Sequence, residues 1–271
     1  METDLELVLV ARHADLPGGL HVRRALPQRQ RRMVGPFVFV DRMGPTAYPP
    51  GEGADVLSHP HIGLSTLTWL FAGEGLHKDS LGTVQRLLPG EVNWMTAGGG
   101  IVHAEFLRAA AGGQVHGVQT WVALPQRLEE CAPSFEHYGR DAVPEVDGDG
   151  IRARIVAGSL FGRTSSVRTS SPLFYVEVRM EPGAALSLSR EYEERAAFVL
   201  EGRVALPEAV LGPGEIGFFA RGREILLRAE EESLLLLLGG EPLDGPRFIS
   251  WNFVSSSRER LAQAAADWRG G

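Results

Sequence analysis

His59-Pro60-His61-Ile62-Gly63-Leu64-Ser65-Thr66-Leu67-Thr68-Trp69-Leu70-Phe71 is the stretch on which the fold turns. Its β-branched and aromatic content gives it the character of a strand, and alternation places His59, His61, Gly63, Ser65, Leu67, Trp69 and Phe71 on one face. In a strand, residues i and i+2 share a face about 7 Å apart, so His59 and His61 point the same way. His103-Ala104-Glu105 repeats the spacing, and two such strands side by side aim three imidazoles and one carboxylate at one point. That pattern predicts a mononuclear metal site. Both faces of the 59–71 run are mostly apolar, as in a sheet buried on both sides within a sandwich or barrel.

Further short strands are expected at 5–10, 20–26, 36–41, 92–95 and 117–124, the first two separated by the turn Pro17-Gly18-Gly19. A loop from Pro45 through Pro49, Pro50, Gly51 and Gly53 delivers the chain to His59, and Gly98-Gly99-Gly100 precedes His103. Turns every eight to twelve residues, drawing on 33 glycines and 17 prolines, indicate an all-β sandwich or barrel. One short C-terminal helix is expected after a capping box at Ser256 and Glu259, with Leu261, Ala265 and Trp268 on its apolar stripe until Gly270.

The halves resemble each other. Pro89-Gly90-Glu91-Val92 is echoed by Pro213-Gly214-Glu215-Ile216, and the register continues through Gly98 opposite Gly222 and Ile101 opposite Ile225. Carried forward, it sets Leu227 opposite His103 and Ala229 opposite Glu105. Aligning Gly73 with Gly202 sets Leu188 opposite His59 and Arg190 opposite His61. No histidine follows His137, so the expectation is a duplicated barrel: residues 1–138 with the metal site and 139–271 without ligands, joined by the linker Gly139 to Gly150.

Among 271 residues, 44% are hydrophobic and the formal charge is −7. This composition predicts a globular core and no general affinity for nucleic acid or anionic lipid. The basic cluster Arg23, Arg24, Arg29, Arg31 and Arg32 is an exception, read as a solvated surface pairing with carboxylates. Cys131 stands alone, which excludes an internal disulfide and suits a reducing compartment; it reads as a small core filler. Met1 to Val10 has no signal-peptide pattern, and the apolar run Leu234 to Leu238 is too short to span a bilayer. A cytoplasmic protein without membrane contact is expected.

Three nitrogens and one carboxylate oxygen suit Fe(II), Mn(II), Ni(II), Cu(II) or Zn(II). Iron is the first choice, and four protein ligands leave up to two positions of an octahedron open. His77, in Gly75-Leu76-His77-Lys78-Asp79-Ser80, reads as a solvated loop residue. Gln119, near His116, reads either as a donor to a ligand or as an ordinary buried polar group.

The motifs Arg31-Arg32-Met33-Val34-Gly35-Pro36-Phe37, His59-Pro60-His61-Ile62-Gly63-Leu64, Asn93-Trp94-Met95-Thr96-Ala97-Gly98, Gly100-Ile101-Val102-His103-Ala104-Glu105, His116-Gly117-Val118-Gln119 and Gly240-Glu241-Pro242-Leu243 resemble the pirin family of the cupin superfamily. The resemblance implies two tandem cupin barrels (a bicupin of double-stranded β-helix, jelly-roll type) with iron held by His59, His61, His103 and Glu105. It also implies two activities: oxidative cleavage of quercetin-like flavonols with O2, or a nuclear-regulator type of role. The broader cupin motif carries a glutamate where this chain has Ser65, so the carboxylate of this set is Glu105. The expected function is therefore a flavonol 2,3-dioxygenase-type oxidoreductase acting on an enolic small molecule, with Glu105 as fixed ligand or general base. A metal-binding regulator whose iron redox state controls a protein partner is the alternative, with the arginine cluster as its candidate surface. A third reading has the metal only for stability.

Overall fold

The computed structural model describes residues 3–16, 19–109 and 113–271; Pro17 and Gly18 of the expected first turn lie outside them. It divides into two compact units, each assembled from discontinuous segments. One takes the chain up to Arg12, Arg24–Phe37 and Asp141–Pro242; the other takes His13–Arg23, Val38–Arg140 and Leu243–Gly271. The sequence places one cut at 138/139. In the structure the first strand, Leu5–Val10, pairs with Glu215–Phe219, and the segment after Pro242 belongs with the histidine-bearing unit.

Each unit is a cupin barrel made of a larger sheet and a four-stranded sheet. In the histidine-bearing unit the four-stranded order is Gly53–His61, Ile101–Arg108, Glu74–Asp79, Val84–Leu87. The larger sheet includes, in order, Ser134–Tyr138, Val92–Thr96, Leu64–Ala72, Gln114–Ala123 and Phe37–Ala47. Leu70, Val115 and Met43 from the larger sheet meet Ala54, Leu107 and Leu87 from the smaller in one buried cluster. Closing a sandwich of apolar inner faces in this way removes large hydrophobic area from water, at about 25 cal/mol per Å².

The other unit repeats the plan: its four-stranded order is Ala185–Leu188, Ile225–Ala229, Val204–Leu206, Ala209–Leu211. The duplication extends to single hydrogen bonds. Leu88 N–H donates to the Glu91 carboxylate at 2.8 Å, and Gly212 N–H donates to that of Glu215 at 2.7 Å. Gly90 and Gly214 sit at φ +87° and +85°, which glycine adopts without the Cβ penalty.

Strand pairing corrects part of the repeat register. His61 pairs with Ile101 and His59 with His103, whereas Leu188 pairs with Ile225 and Leu186 with Leu227. Leu186, not Leu188, therefore corresponds to His59, and Leu188, not Arg190, corresponds to His61. In the second barrel these positions, with Leu227 and Ala229, are buried apolar core.

The 59–71 run is not one strand. It breaks at Ile62-Gly63, where Gly63 takes φ +68° and a Cβ would stand 2.0 Å from the Val254 carbonyl oxygen. The chain thus leaves the small sheet at His61 and enters the large one at Leu64. The strand expected to end at 41 runs on through Pro45 to Ala47. The helix spans Arg258–Gly270, and its cap is Ser257, whose hydroxyl accepts from Arg260 N–H. Ser256 instead donates to Glu129, so the N-cap lies one residue later than expected; the residue three on is Arg260, and the expected Ser-x-x-Glu box does not form, Glu259 accepting from the Ser257 hydroxyl instead. Leu261 and Ala264 pack on Ile62 and Phe253. No helix among the described residues is long and apolar enough to cross a membrane. The arginine cluster is partly engaged: Arg31 pairs with Glu6 at 3.7 Å and lies 5.3 Å over Phe218.

Candidate metal centre

Strands Gly53–His61 and Ile101–Arg108 are antiparallel neighbours with His59 opposite His103. One nitrogen from each of His59, His61 and His103 lies within 4.8 Å of the others. The ring centroids are 4.3 Å apart for His59 and His103, and 5.0 Å for His61 and His103. Glu105 does not join all three at that distance; its carboxylate groups with His103 and His77. A register shift between His103 and Glu105 relative to Gly53–His61 sets Glu105 opposite Val56.

Two of the imidazoles are oriented by backbone carbonyls. His59 Nδ1 lies 2.8 Å from Leu57 O and His61 Nδ1 lies 2.9 Å from Asn252 O. A carbonyl only accepts, so Nδ1 carries the proton in both neutral rings and Nε2 presents a lone pair. Asn252 lies between the strands Phe248–Ser250 and Phe253–Ser255, 191 residues from His61. That hairpin is held by Arg247, wholly buried, which pairs with Glu129 at 2.8 Å, while Glu129 also accepts from Ser255 and Ser256.

His103 Nε2 is buried and has no hydrogen-bond partner among the described residues. An unpartnered buried ring nitrogen in a three-histidine cluster, in a protein interior where such a group is costly, fits a cation. Burial lowers the pKa of all three rings, with repulsion from neighbouring histidines adding to it at each; His61 falls to about 3. The rings are thus neutral, as ligands must be. Burial acts oppositely on Glu105, raising it to about 7 against the Thr68 hydroxyl, which donates to Oε1 at 3.2 Å.

His77, expected in a solvated loop, is 4% exposed. It belongs to strand Glu74–Asp79, pairs with Glu105, and its Nδ1 lies 3.4 Å from His103 Nδ1. Its Nε2 is 2.9 Å from Asp79 Oδ2, and Phe135 stacks on the ring at 4.4 Å. The overlooked signal is the His77-x-Asp79 spacing, the same i, i+2 pattern that marks the ligand pairs. Burial lowers His77; at Asp79 burial is outweighed by hydrogen bonds from His77, Thr83 and Leu81, and its carboxyl falls below the usual range.

His116 lies apart from the cluster, against Phe71 and accepting from Arg42 Nε at 3.3 Å. Gln119 pairs with Thr68 across the sheet and has a buried Oε1 without a hydrogen-bond partner among the described residues. Trp121 meets His61 edge-on at 5.0 Å and is stacked by Phe39 at 4.1 Å. Cys131 is a free, half-buried thiol.

The model of the pirin family matches residues 19–122, and that of the pirin C-terminal cupin domain matches residues 175–271. A pirin-like protein of Caulobacter vibrioides is 50% identical, over 98% of this chain and 94% of its own length. A crystal structure of quercetin 2,3-dioxygenase from Acinetobacter baumannii is 36% identical, with a TM-score of 0.90, covering 97% of this chain and 88% of its own. A second structure of that enzyme name from the same organism is 28% identical with a TM-score of 0.91, covering 99% and 97%. Duplicated cupin barrels, a histidine cluster in one of them and matches across both establish that the chain belongs to the pirin family.

Proposed function

We propose that this pirin is a metal-dependent dioxygenase of the quercetin 2,3-dioxygenase type, cleaving an enolic or flavonol-like substrate with O2. His59, His61, His103 and Glu105 are assigned as ligands, and iron(II) is the first assignment for the ion. The carrying observation is His103 Nε2, buried beside His59 and His61 without a partner among the described residues. The likeness to structures named quercetin 2,3-dioxygenase supports the substrate class. In this donor set a divalent ion supplies Lewis acidity and open coordination positions.

The chain's own residues then have distinct tasks. Glu105, the carboxylate of the set, either stays a fixed ligand or detaches to take the proton of an enolic hydroxyl within its reach. Thr68 holds one of its oxygens in place. Gln119 offers a buried carboxamide oxygen to a hydroxyl donor. Trp121 and Phe39 wall off the His61 side from water.

The test loads the full-length protein separately with Fe(II), Mn(II), Ni(II), Cu(II) and Zn(II) and follows oxygen uptake with quercetin and small enols. Uptake stoichiometric with substrate in at least one metal form is expected. With full metal occupancy, no uptake for any substrate in any form refutes the assignment.

A further inference from the structure

We propose that Asp79 and His77 form a relay that dictates which nitrogen of His103 carries its proton, and so keeps His103 Nε2 bare for the metal ion. The metal clause rests on the ligand reading above; the relay itself does not need a metal to be observed.

Asp79 has a fully buried side chain. Its Oδ1 accepts from the backbone N–H groups of Leu81 at 2.9 Å and Thr83 at 3.1 Å. Its Oδ2 faces His77 Nε2 at 2.9 Å. A carboxylate has no proton to give, so the single N–H of a neutral His77 lies at Nε2. His77 Nδ1 is then a lone pair, 3.4 Å from His103 Nδ1. Two facing lone pairs repel, so His103 places its own N–H at Nδ1. Its Nε2 is left bare, which is the nitrogen that has no partner among the described residues.

His103 differs here from the other two rings. His59 and His61 are set by the carbonyls of Leu57 and Asn252, which no substitution removes. His103 is set by side chains alone, so a change at Asp79 can rewrite it.

Asp79→Asn is nearly isosteric. The two backbone donors keep the amide oxygen at the Oδ1 position, which turns the NH2 toward His77 Nε2. His77 must then accept there and carry its proton at Nδ1. His103 accepts at Nδ1 in turn and carries its proton at Nε2, where the ion would bind. Inversion of a histidine tautomer by an Asp→Asn change one residue away has precedent in catalytic triads, and loss of such outer partners typically costs 10–100-fold in metal affinity.

The experiment has two arms on the full chain. Long-range 1H–15N correlation spectra of the metal-free protein read the tautomer of each ring, and competition titrations with nickel(II) read affinity. Wild type is expected to show His103 protonated at Nδ1, and Asp79→Asn at Nε2, with nickel affinity 10–100-fold weaker. His77→Leu removes the constraint, so both His103 tautomers are expected, and Asp79→Asn added to it should weaken nickel binding no further.

The relay is overturned if His103 stays protonated at Nδ1 in Asp79→Asn, or if Asp79→Asn weakens binding equally with and without His77. Should Asp79→Asn not fold, a single fixed His103 tautomer in His77→Leu overturns it. Tautomers that respond as expected in a protein that takes up no nickel, iron or zinc overturn the metal clause and the ligand reading, while the relay stands.

Discussion

Glu105→Gln makes opposite predictions for the metal-free and the loaded protein. In the folded chain burial raises the Glu105 carboxyl from 4.5 to about 7. A shift of about 2.5 units at 1.36 kcal/mol each is about 3 kcal/mol. The sign follows from linkage: the folded state holds this proton more tightly than the unfolded one. Its stabilising contribution is complete below pH 4.5 and is lost as pH rises through about 7. At pH 8 metal-free wild type therefore carries a deficit of up to about 3 kcal/mol, because a carboxylate is held in a site that disfavours charge.

Glutamine cannot ionise and escapes this deficit. The depressed histidines contribute a slope of opposite sign, but both proteins share it and it cancels in the difference. The five tryptophans, at 69, 94, 121, 251 and 268, all lie in the histidine-bearing unit, so their emission follows that unit in urea. At m-values of about 1–3 kcal/mol/M, the variant's midpoint should exceed that of wild type by roughly 1–3 M at pH 8 and match it near pH 4. Added metal should reverse the order, since an ion bound only by the folded state stabilises wild type. Equal pH slopes for the two metal-free proteins would refute the placement of Glu105 in a desolvated site.

Three further outcomes are expected. Gly63→Ala should lower the tryptophan-followed stability by at least about 2 kcal/mol, through its positive φ and the collision with Val254 O; an unchanged urea midpoint would count against the corner. Glu129→Ala, which leaves buried Arg247 with Asp244 as its remaining carboxylate and strips Ser255 and Ser256 of their acceptor, should cost about 1–3 kcal/mol and weaken nickel binding by loosening the hairpin that carries Asn252. Because burial lowers all three imidazoles, His61 to about 3 and His103 well below its ordinary value, and raises Glu105 to about 7, log Kd for metal should change by between about one and two units per pH unit between pH 7 and 5, with Glu105 supplying about one and His59 the rest. A slope near three in that window would mean the histidines compete for protons as exposed ones do.

Much of this was legible in the chain because period-2 spacing needs no tertiary information. The pairs His59/His61 and His103/Glu105 met on neighbouring strands, and the Pro-Gly-Glu turns at 89–91 and 213–215 marked the duplication down to their hydrogen bonds. The corner at Gly63 was hidden because strand-forming residues continue unbroken across it and both faces of the run are apolar. His77 was hidden because Lys78 and Ser80 gave its strand the look of a loop. The two-residue slip at Leu186 and Leu188 arose because two leucines carry no mark of register, where two histidines do. The carbonyl of Asn252 left no trace at all, since any residue supplies one.

That carbonyl also has a consequence in time. At about 5–20 residues per second, the ribosome needs roughly 10–40 s to travel the 191 residues from His61 to Asn252. Throughout that interval His61 exists without the acceptor that fixes its ring. The nascent barrel therefore emerges with the groups that orient His59 and His103 already made and His61 alone still unfixed, so the three-ring set is completed only when the last hairpin docks.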